Sequence, residues 1–196
     1  LLRDQALAVS GLLSAKMYGP PVRPLTPNLG LTTAFGRSND WTLSPGEDKH
    51  RRSLYTEVRR NSPYASFTTF DAGNREVCMI RRSRTNTPLQ AFVTLNDPVF
   101  IETHQAMARR IVREAKSTSE RLTHLFKLCL SREPIAHEVT ALTQLHAESL
   151  ASYQKDPAAA TKMATEPLGP AEKDANLPEL AAWTAVANVV MNLDEF

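Results

Sequence analysis

Arginine is the side chain in this sequence with the most capacity for chemistry, and it is concentrated in residues 49–84. That segment holds nine basic residues, eight of them arginine, against three acidic ones, which leaves +6 in a chain whose formal charge is +2. A guanidinium presents a planar fork of donors that matches a carboxylate, sulfate or phosphate, and it can also bind backbone carbonyls. The nine basic residues are Lys49, Arg51, Arg52, Arg59, Arg60, Arg75, Arg81, Arg82 and Arg84.

Three interpretations of this segment stay open. The arginines can brace irregular backbone and pair with nearby carboxylates, they can line a recessed site for an acidic or sulfated saccharide, or they can form an interface with another domain. The carboxylates expected as partners in the first interpretation are Glu47, Asp48, Asp71 and Asp97. The candidate ligand-binding residues in the second are Arg52, Asp71, Asn74, Arg75, Arg81, Arg82, Arg84, Asn86 and Gln90.

Two residues of that set also have a local structural interpretation. Asn86 precedes Thr87-Pro88 and is expected to be the N-cap of a helix, because asparagine side chains accept from the first free amides. Alternatively, the amide of Gln90 and the guanidinium of Arg84 face a ligand. An enzyme acting on a saccharide would use Asp71 or Asp97 as acid or base, so whether the chain is an enzyme stays open.

Several classes of site are excluded by spacing. His137-Glu138 begins like a zinc-protease helix motif, but Ala141 stands where the second histidine belongs. The other histidines lack paired spacing and are interpreted as surface or interface residues. No Cys-x-x-Cys occurs, so we expect no metal and no haem attachment within this chain. We also expect no nucleic acid partner, because the charge is nearly balanced outside the segment, and no membrane span, because the apolar runs are short.

The elements that must position these residues are predominantly helical. The pattern predicts one α-rich domain over 1–196, with a helix over 1–18, an irregular, partly β, arginine-rich insert over 19–86 and helices over 87–196. Alternation over Ser53–Val58 predicts a short strand, and Glu76–Ile80 is its expected partner in a small β hairpin. The overall prediction is a mostly α, bundle-like fold with a long irregular segment.

The helices after residue 86 carry recognisable start signals. Asp97-Pro98 predicts a cap followed by a first helical position, and Ser117 with Glu120 predicts a capping box. Further helices are predicted after Pro134, after Asp156-Pro157 and from Pro178. Cys129 falls on an apolar helix stripe and is expected to be a buried thiol.

Several blocks of the sequence resemble a known family, the planctomycete surface-cytochrome-associated domain of unknown function. The resemblance covers essentially the whole chain and is most specific in the central blocks. It is carried by Leu2–Gly11, Gly46–Asp48, Arg51–Tyr55, Phe70–Glu76, Arg81–Ala91, Leu95–Pro98, Ala182-Trp183 and Asn192–Phe196.

This resemblance implies where the protein is located and which domains accompany it, but it implies no reaction. It implies the later, C-terminal part of a large exported protein, in the periplasm or at the cell surface, whose upstream modules are cytochrome c-like and would hold any haem. The expected partners are those upstream domains and an anionic polysaccharide. The expected function is therefore a non-catalytic structural or binding domain, with a saccharide-acting enzyme as the alternative. Ile135 departs from the family, which often has a hydroxyl residue at this helix start.

Overall fold

A computed structural model of the chain describes residues 1–27, 41–59, 63–73, 78, 80–81 and 85–196. Its described part is mostly α-helical, which confirms the predicted fold class. The helices within these ranges are α1 Leu2–Ser10, α2 Ala65–Thr69, α3 Pro88–Asn96, α4 Pro98–Glu114, α5 Thr118–Leu130, α6 Ala136–Lys155, α7 Pro157–Thr165 and α8 Leu177–Val190.

The core is built around α8, which packs against α4, α6 and α7. A helix that is apolar on all sides belongs in the centre of a fold, and Trp183, Val186 and Val190 of α8 are fully buried. Met107 of α4 and Phe126 of α5 join the same apolar cluster. α1 packs on the outside of α4, so the N-terminal helix is part of this helical body.

The predicted helix starts are confirmed where a side chain caps them. Asp97 accepts a hydrogen bond from the amide of Val99 at 3.0 Å and caps α4. Ser117 and Glu120 form the predicted capping box of α5. At α6 the cap is incomplete, because Ile135 has no acceptor and only the Glu138 carboxylate reaches back to the Ile135 amide, at 2.8 Å.

The prediction that the first helix runs over 1–18 is wrong, because α1 ends at Ser10. Gly11 adopts the left-handed conformation with φ 82°, and its amide and that of Leu12 bond carbonyls of the last turn. A glycine in this position is a common helix terminator. The apolar spacing beyond Gly11 therefore belongs to extended chain, in which the amide of Ser14 bonds the carbonyl of His50 at 3.2 Å.

The predicted strand over Ser53–Val58 is also wrong. Ser53–Tyr55 is a 3₁₀ helix, as is Gly46–His50, and in the described ranges the β pairing is limited to two isolated bridges, Ser14 with Arg51 and Val22 with Thr56. These bridges join the segment to residues far away in sequence, and no hairpin is seen within the part of the chain that the structure describes. Most of the expected partner, Glu76–Ile80, lies outside the described residues.

Candidate functional site

The arginine-rich segment is anchored by one buried guanidinium, that of Arg51. Its side chain is 1% exposed and donates to the carbonyls of Lys16 and Pro20, both at 3.3 Å, and to that of Tyr18. The guanidinium carbon also lies 4.0 Å from the centre of the Tyr55 ring. Because one guanidinium can donate to several backbone carbonyls at once, Arg51 holds the irregular chain after α1 against the 3₁₀ helices.

A second buried guanidinium comes from outside the segment. Arg3 of α1 is 5% exposed, and it donates to the carbonyl of Arg51 at 2.9 Å and to that of Lys49 at 2.7 Å. Asp4 accepts from both the amide and the hydroxyl of Ser53 at 2.7 Å. The first helix therefore binds the insert through its polar face while its apolar face contacts α4.

A buried carboxylate of α4 receives the basic side chains of the first 3₁₀ helix. Oε1 of Glu102 lies 2.6 Å from Nζ of Lys49 and 3.1 Å from Nε2 of His50, and Glu102 is 1% exposed. Burial opposes its ionisation, but the contacts from His50 and Lys49 outweigh that and hold the pKa of Glu102 below its usual range. An ionised carboxylate inside the fold thus fixes the insert to the helical body.

The carboxylates that the sequence suggested as arginine partners have other partners. Glu47 accepts from the hydroxyl of Ser14 at 2.8 Å, and Asp48 pairs with Lys16 at 2.9 Å. Arg59 pairs with Glu57, which Arg23 also binds. Among the described arginines of the segment, Arg51 braces backbone, as one interpretation expected, whereas Arg59 pairs with Glu57, which is not one of the four carboxylates proposed.

Asp71 and Gln90 lie in one hydrogen-bonded network between the end of α2 and the start of α3. Asp71 accepts from the amide and the hydroxyl of Thr85 at 2.9 and 2.7 Å, and these bonds hold the pKa of Asp71 below its usual range. Gln90 is buried, and its amide donates to the carbonyl of Thr69 and the hydroxyl of Thr85, both at 2.9 Å. These groups join two helices through their side chains.

Asn86 does not have the capping role predicted for it. Thr87 is the N-cap of α3, and its hydroxyl accepts from the amide of Gln90 while Oε1 of Gln90 accepts from the amide of Thr87. Pro88 follows as the first helical residue, so the cap lies one position later than expected. Asn86 itself is exposed.

The remaining candidate residues divide into two groups. Arg52 and Arg81 are exposed, and neither guanidinium has a hydrogen-bond or ion-pair partner among the described residues. Four candidates lie outside the described residues: Asn74, Arg75, Arg82 and Arg84. The two exposed arginines are therefore the described members of the candidate set with guanidiniums directed to the surface.

The two proposed catalytic carboxylates have environments that suit structural roles. Asp97 is 6% exposed and caps α4, and burial raises the pKa of its carboxyl group. Asp71 is accessible, but its low pKa makes it a poor proton donor near neutral pH. Among the described residues, no group of three His, Cys, Asp or Glu side chains is arranged to hold a metal ion.

Sequence patterns did not predict the buried polar groups that position this segment. Arg3 and Glu102 lie on amphipathic helices, where charged residues are normally solvated. His104 and His146 were expected at the surface or in an interface, yet they are 1% and 7% exposed and lie inside the chain's own fold. Cys129 is buried as predicted, and burial raises the pKa of its thiol to about 12, whereas Cys78 is exposed and both cysteines are free.

Comparison with known proteins places this arrangement in a family without an assigned activity. The sequence model of PSD1, described as "Protein of unknown function (DUF1553)", matches residues 1–146. This range includes α1, the arginine-rich segment and α3 to α5. No curated protein and no solved structure matches the chain. In the described ranges, no helix has the length and apolar content needed to cross a bilayer.

Proposed function

This chain belongs to the PSD1 family of proteins of unknown function (DUF1553), and we propose that it is a non-catalytic docking domain of a larger exported protein. The resemblance described above supports a planctomycete protein, located in the periplasm or at the cell surface, whose upstream modules are cytochrome c-like. Any haem would belong to those modules. The docked partner is an acidic face of one such upstream domain.

The observation that carries this proposal is the contrast between the adjacent residues Arg51 and Arg52. Arg51 is buried and donates to three carbonyls, whereas Arg52 is exposed and its guanidinium has no partner among the described residues. The backbone at Arg52 is therefore held in place by other residues, and the charge of the Arg52 guanidinium remains available to a partner. Because the backbone at Arg52 is already ordered, binding a carboxylate there has to order only the arginine side chain.

Exposed apolar side chains beside Arg52 support a docking surface over a simple solvated face. Leu54 is 69% exposed and lies two residues from Arg52 in the same short turn. Tyr18 is 78% exposed, and its amide bonds the hydroxyl of Tyr55 at 3.0 Å, so it lies against the same segment. Interfaces commonly combine arginine with large apolar or aromatic residues.

The test compares hydrogen exchange in this chain with exchange in the longer polypeptide that includes its upstream modules. We expect added protection of residues 51–59 in the longer polypeptide at low salt, and loss of that protection at about 0.5 M salt because screening weakens ionic docking. The double substitution Arg52→Gln, Arg81→Gln should remove the added protection. Lys155→Gln, which removes one exposed charge from α6, should leave it unchanged.

Equal exchange in the two polypeptides at low salt would refute docking. An acidic polysaccharide is the second candidate partner, and the exposed Arg52 and Arg81 favour it as well. Alginate added to this chain alone should then protect residues 51–59, whereas neutral dextran should not. Protection by alginate without protection in the longer polypeptide would replace the docking domain with a polysaccharide-binding one.

The saccharide-acting enzyme of the sequence interpretation has less support. One carboxylate oxygen of Asp71 accepts two hydrogen bonds from Thr85, and the carboxylate of Asp97 caps the start of α4. Hydrolysis of alginate by this chain, abolished by Asp71→Asn and retained by Lys155→Gln, would reinstate the enzyme.

A further inference from the structure

A second arginine cluster lies on the last turns of α4, away from the arginine-rich segment. Arg109, Arg110 and Arg113 line an open, groove-like cavity of 480 Å³ between α4 and the C-terminal end of α1. This volume falls in the range of small-molecule sites, which is about 300–1,000 Å³. Its walls also include apolar side chains, those of Leu12, Ala106 and Leu168.

The three guanidiniums differ in what they can offer to a ligand. Arg109 donates through Nη1 to the carbonyl of Pro170 at 3.1 Å and through Nη2 to that of Ala164 at 2.9 Å. Burial lowers its pKa, and the nearby Glu172 acts against that shift. Arg109 therefore contributes a fixed positive charge to the wall, because both of its Nη groups bond carbonyls, while its buried Nε has no partner among the described residues.

Arg110 and Arg113 supply donors. Arg110 binds the carbonyl of Val9 through Nη1 at 2.6 Å and Glu114 through Nε at 3.2 Å, which leaves its Nη2 group for a ligand. Arg113 is 69% exposed, and its nearest ionic contact is 3.5 Å to Glu114. The fork of Arg113 thus remains open beside the rim of the cavity.

The charge around the cavity is positive. Glu114 is the acidic residue among those lining it, and its carboxylate also accepts from Nε2 of His124 at 2.7 Å. The contacts with His124 and Arg110 hold the pKa of Glu114 below its usual range, so it stays ionised near neutral pH. Three guanidiniums against one shared carboxylate, with Glu172 farther out, leave an excess positive charge that a bound anion would neutralise.

We propose that this cavity binds the carboxylate of a small organic acid whose body is about the size of a six-membered ring. The open fork of Arg113 and the remaining Nη2 of Arg110 bind the carboxylate, because guanidinium and carboxylate match in geometry. Leu12 and Leu168 contact the body of the ligand. This site is independent of docking at Arg52, since it lies on different elements and uses different residues.

The experiment titrates the chain with two carboxylates that differ in their bodies, glucuronate and benzoate, while amide NMR shifts are followed. Saturable shifts of the Gly11, Leu12 and Leu168 amides are expected with at least one of them. Tighter binding of glucuronate would indicate a ligand with a polar body, and tighter binding of benzoate a ligand with an apolar body. Glucose, which lacks the carboxylate, should give none. Arg113→Gln should weaken binding about tenfold, because it removes a charge-assisted bond.

Lys116→Gln is the matched control, since it removes one exposed charge close to the cavity without changing its lining. Its affinity should stay within about twofold of the parent, as expected for a screened surface charge. Equal weakening by Lys116→Gln and Arg113→Gln, or no saturation with either acid, would overturn the site. If inorganic sulfate binds as tightly as both acids, the inference that the ligand carries an organic body is overturned. Arg52→Gln should leave the titration unchanged, which separates this result from the docking test.

Discussion

Lys49 and Glu102 form the ionic contact that joins the arginine-rich segment to the helical body, with Nζ 2.6 Å from Oε1. The lysine comes from a short 3₁₀ helix, and the glutamate lies inside α4 with 1% exposure. Because the glutamate is buried, it depends on its partners for its charge, and the lysine is the nearer of the two.

Lys49→Met should therefore destabilise the fold by about 2–4 kcal/mol, because it leaves a buried carboxylate without its lysine partner. Chemical denaturation would measure the loss. Lys16→Met breaks an exposed pair with Asp48 and should cost less than about 0.5 kcal/mol. The double variant Lys49→Met, Glu102→Gln should recover most of the loss. Equal effects of Lys49→Met and Lys16→Met would contradict the assigned role of Glu102.

Arg51→Ala should lower the free energy of unfolding by at least about 3 kcal/mol, because three carbonyls lose a charged donor and Tyr55 loses its cation contact. Arg52→Ala is the natural control, since the two residues are neighbours of the same type. It should change stability by less than about 0.5 kcal/mol, as expected for an exposed side chain. Urea denaturation measures the free energy of unfolding of both variants. A larger loss of stability for Arg52→Ala than for Arg51→Ala would refute the bracing role of Arg51.

His104 should make stability fall as the solution is acidified. Burial lowers the pKa of His104 to about 3, so between pH 6.5 and 3 the unfolded chain binds a proton that the folded chain does not. Stability is then complete above about pH 6.5 and decreases by about 1.4 kcal/mol per pH unit below it. His146 has a pKa lowered by burial and adds to the same trend.

NMR titration provides the measurement for His104. Its ring signals should not shift between pH 7 and 5. The variant His104→Gln should show a weaker dependence of melting temperature on pH between 6.5 and 5. A normal titration of His104 in the folded chain would disprove its burial.

Ile135→Ser should stabilise the protein by about 0.5–1 kcal/mol. The N-cap of α6 has no side-chain acceptor, while the Glu138 carboxylate already occupies its half of a capping box. Ile135 is 62% exposed, so little apolar burial is lost with the side chain. Thermal unfolding should show the gain for serine and no comparable gain for Ile135→Ala, which lacks the acceptor.

The helices of the second half were predictable because their signals are local. Asp97 with Pro98, and Ser117 with Glu120, satisfy free amides within a few residues of themselves, so the pattern needs no knowledge of the rest of the fold. The first helix was mispredicted because one residue, Gly11, ends it inside an otherwise continuous apolar pattern. Ser53–Val58 was mispredicted because its alternation reflects contacts with distant segments and no neighbouring strand.

The sequence by itself determined that the protein is mostly helical, where most helices of its second half start, and that arginine is concentrated in one segment. Only the tertiary structure decided which arginines are structural. Arg51 and Arg52 are chemically identical neighbours, and Arg51 is buried because the chain at Lys16 to Pro20 brings its carbonyls over that side of the backbone. Arg3 and Glu102 likewise gain their roles from partners about fifty positions away. Contacts of that range depend on how helices pack, which local patterns do not encode.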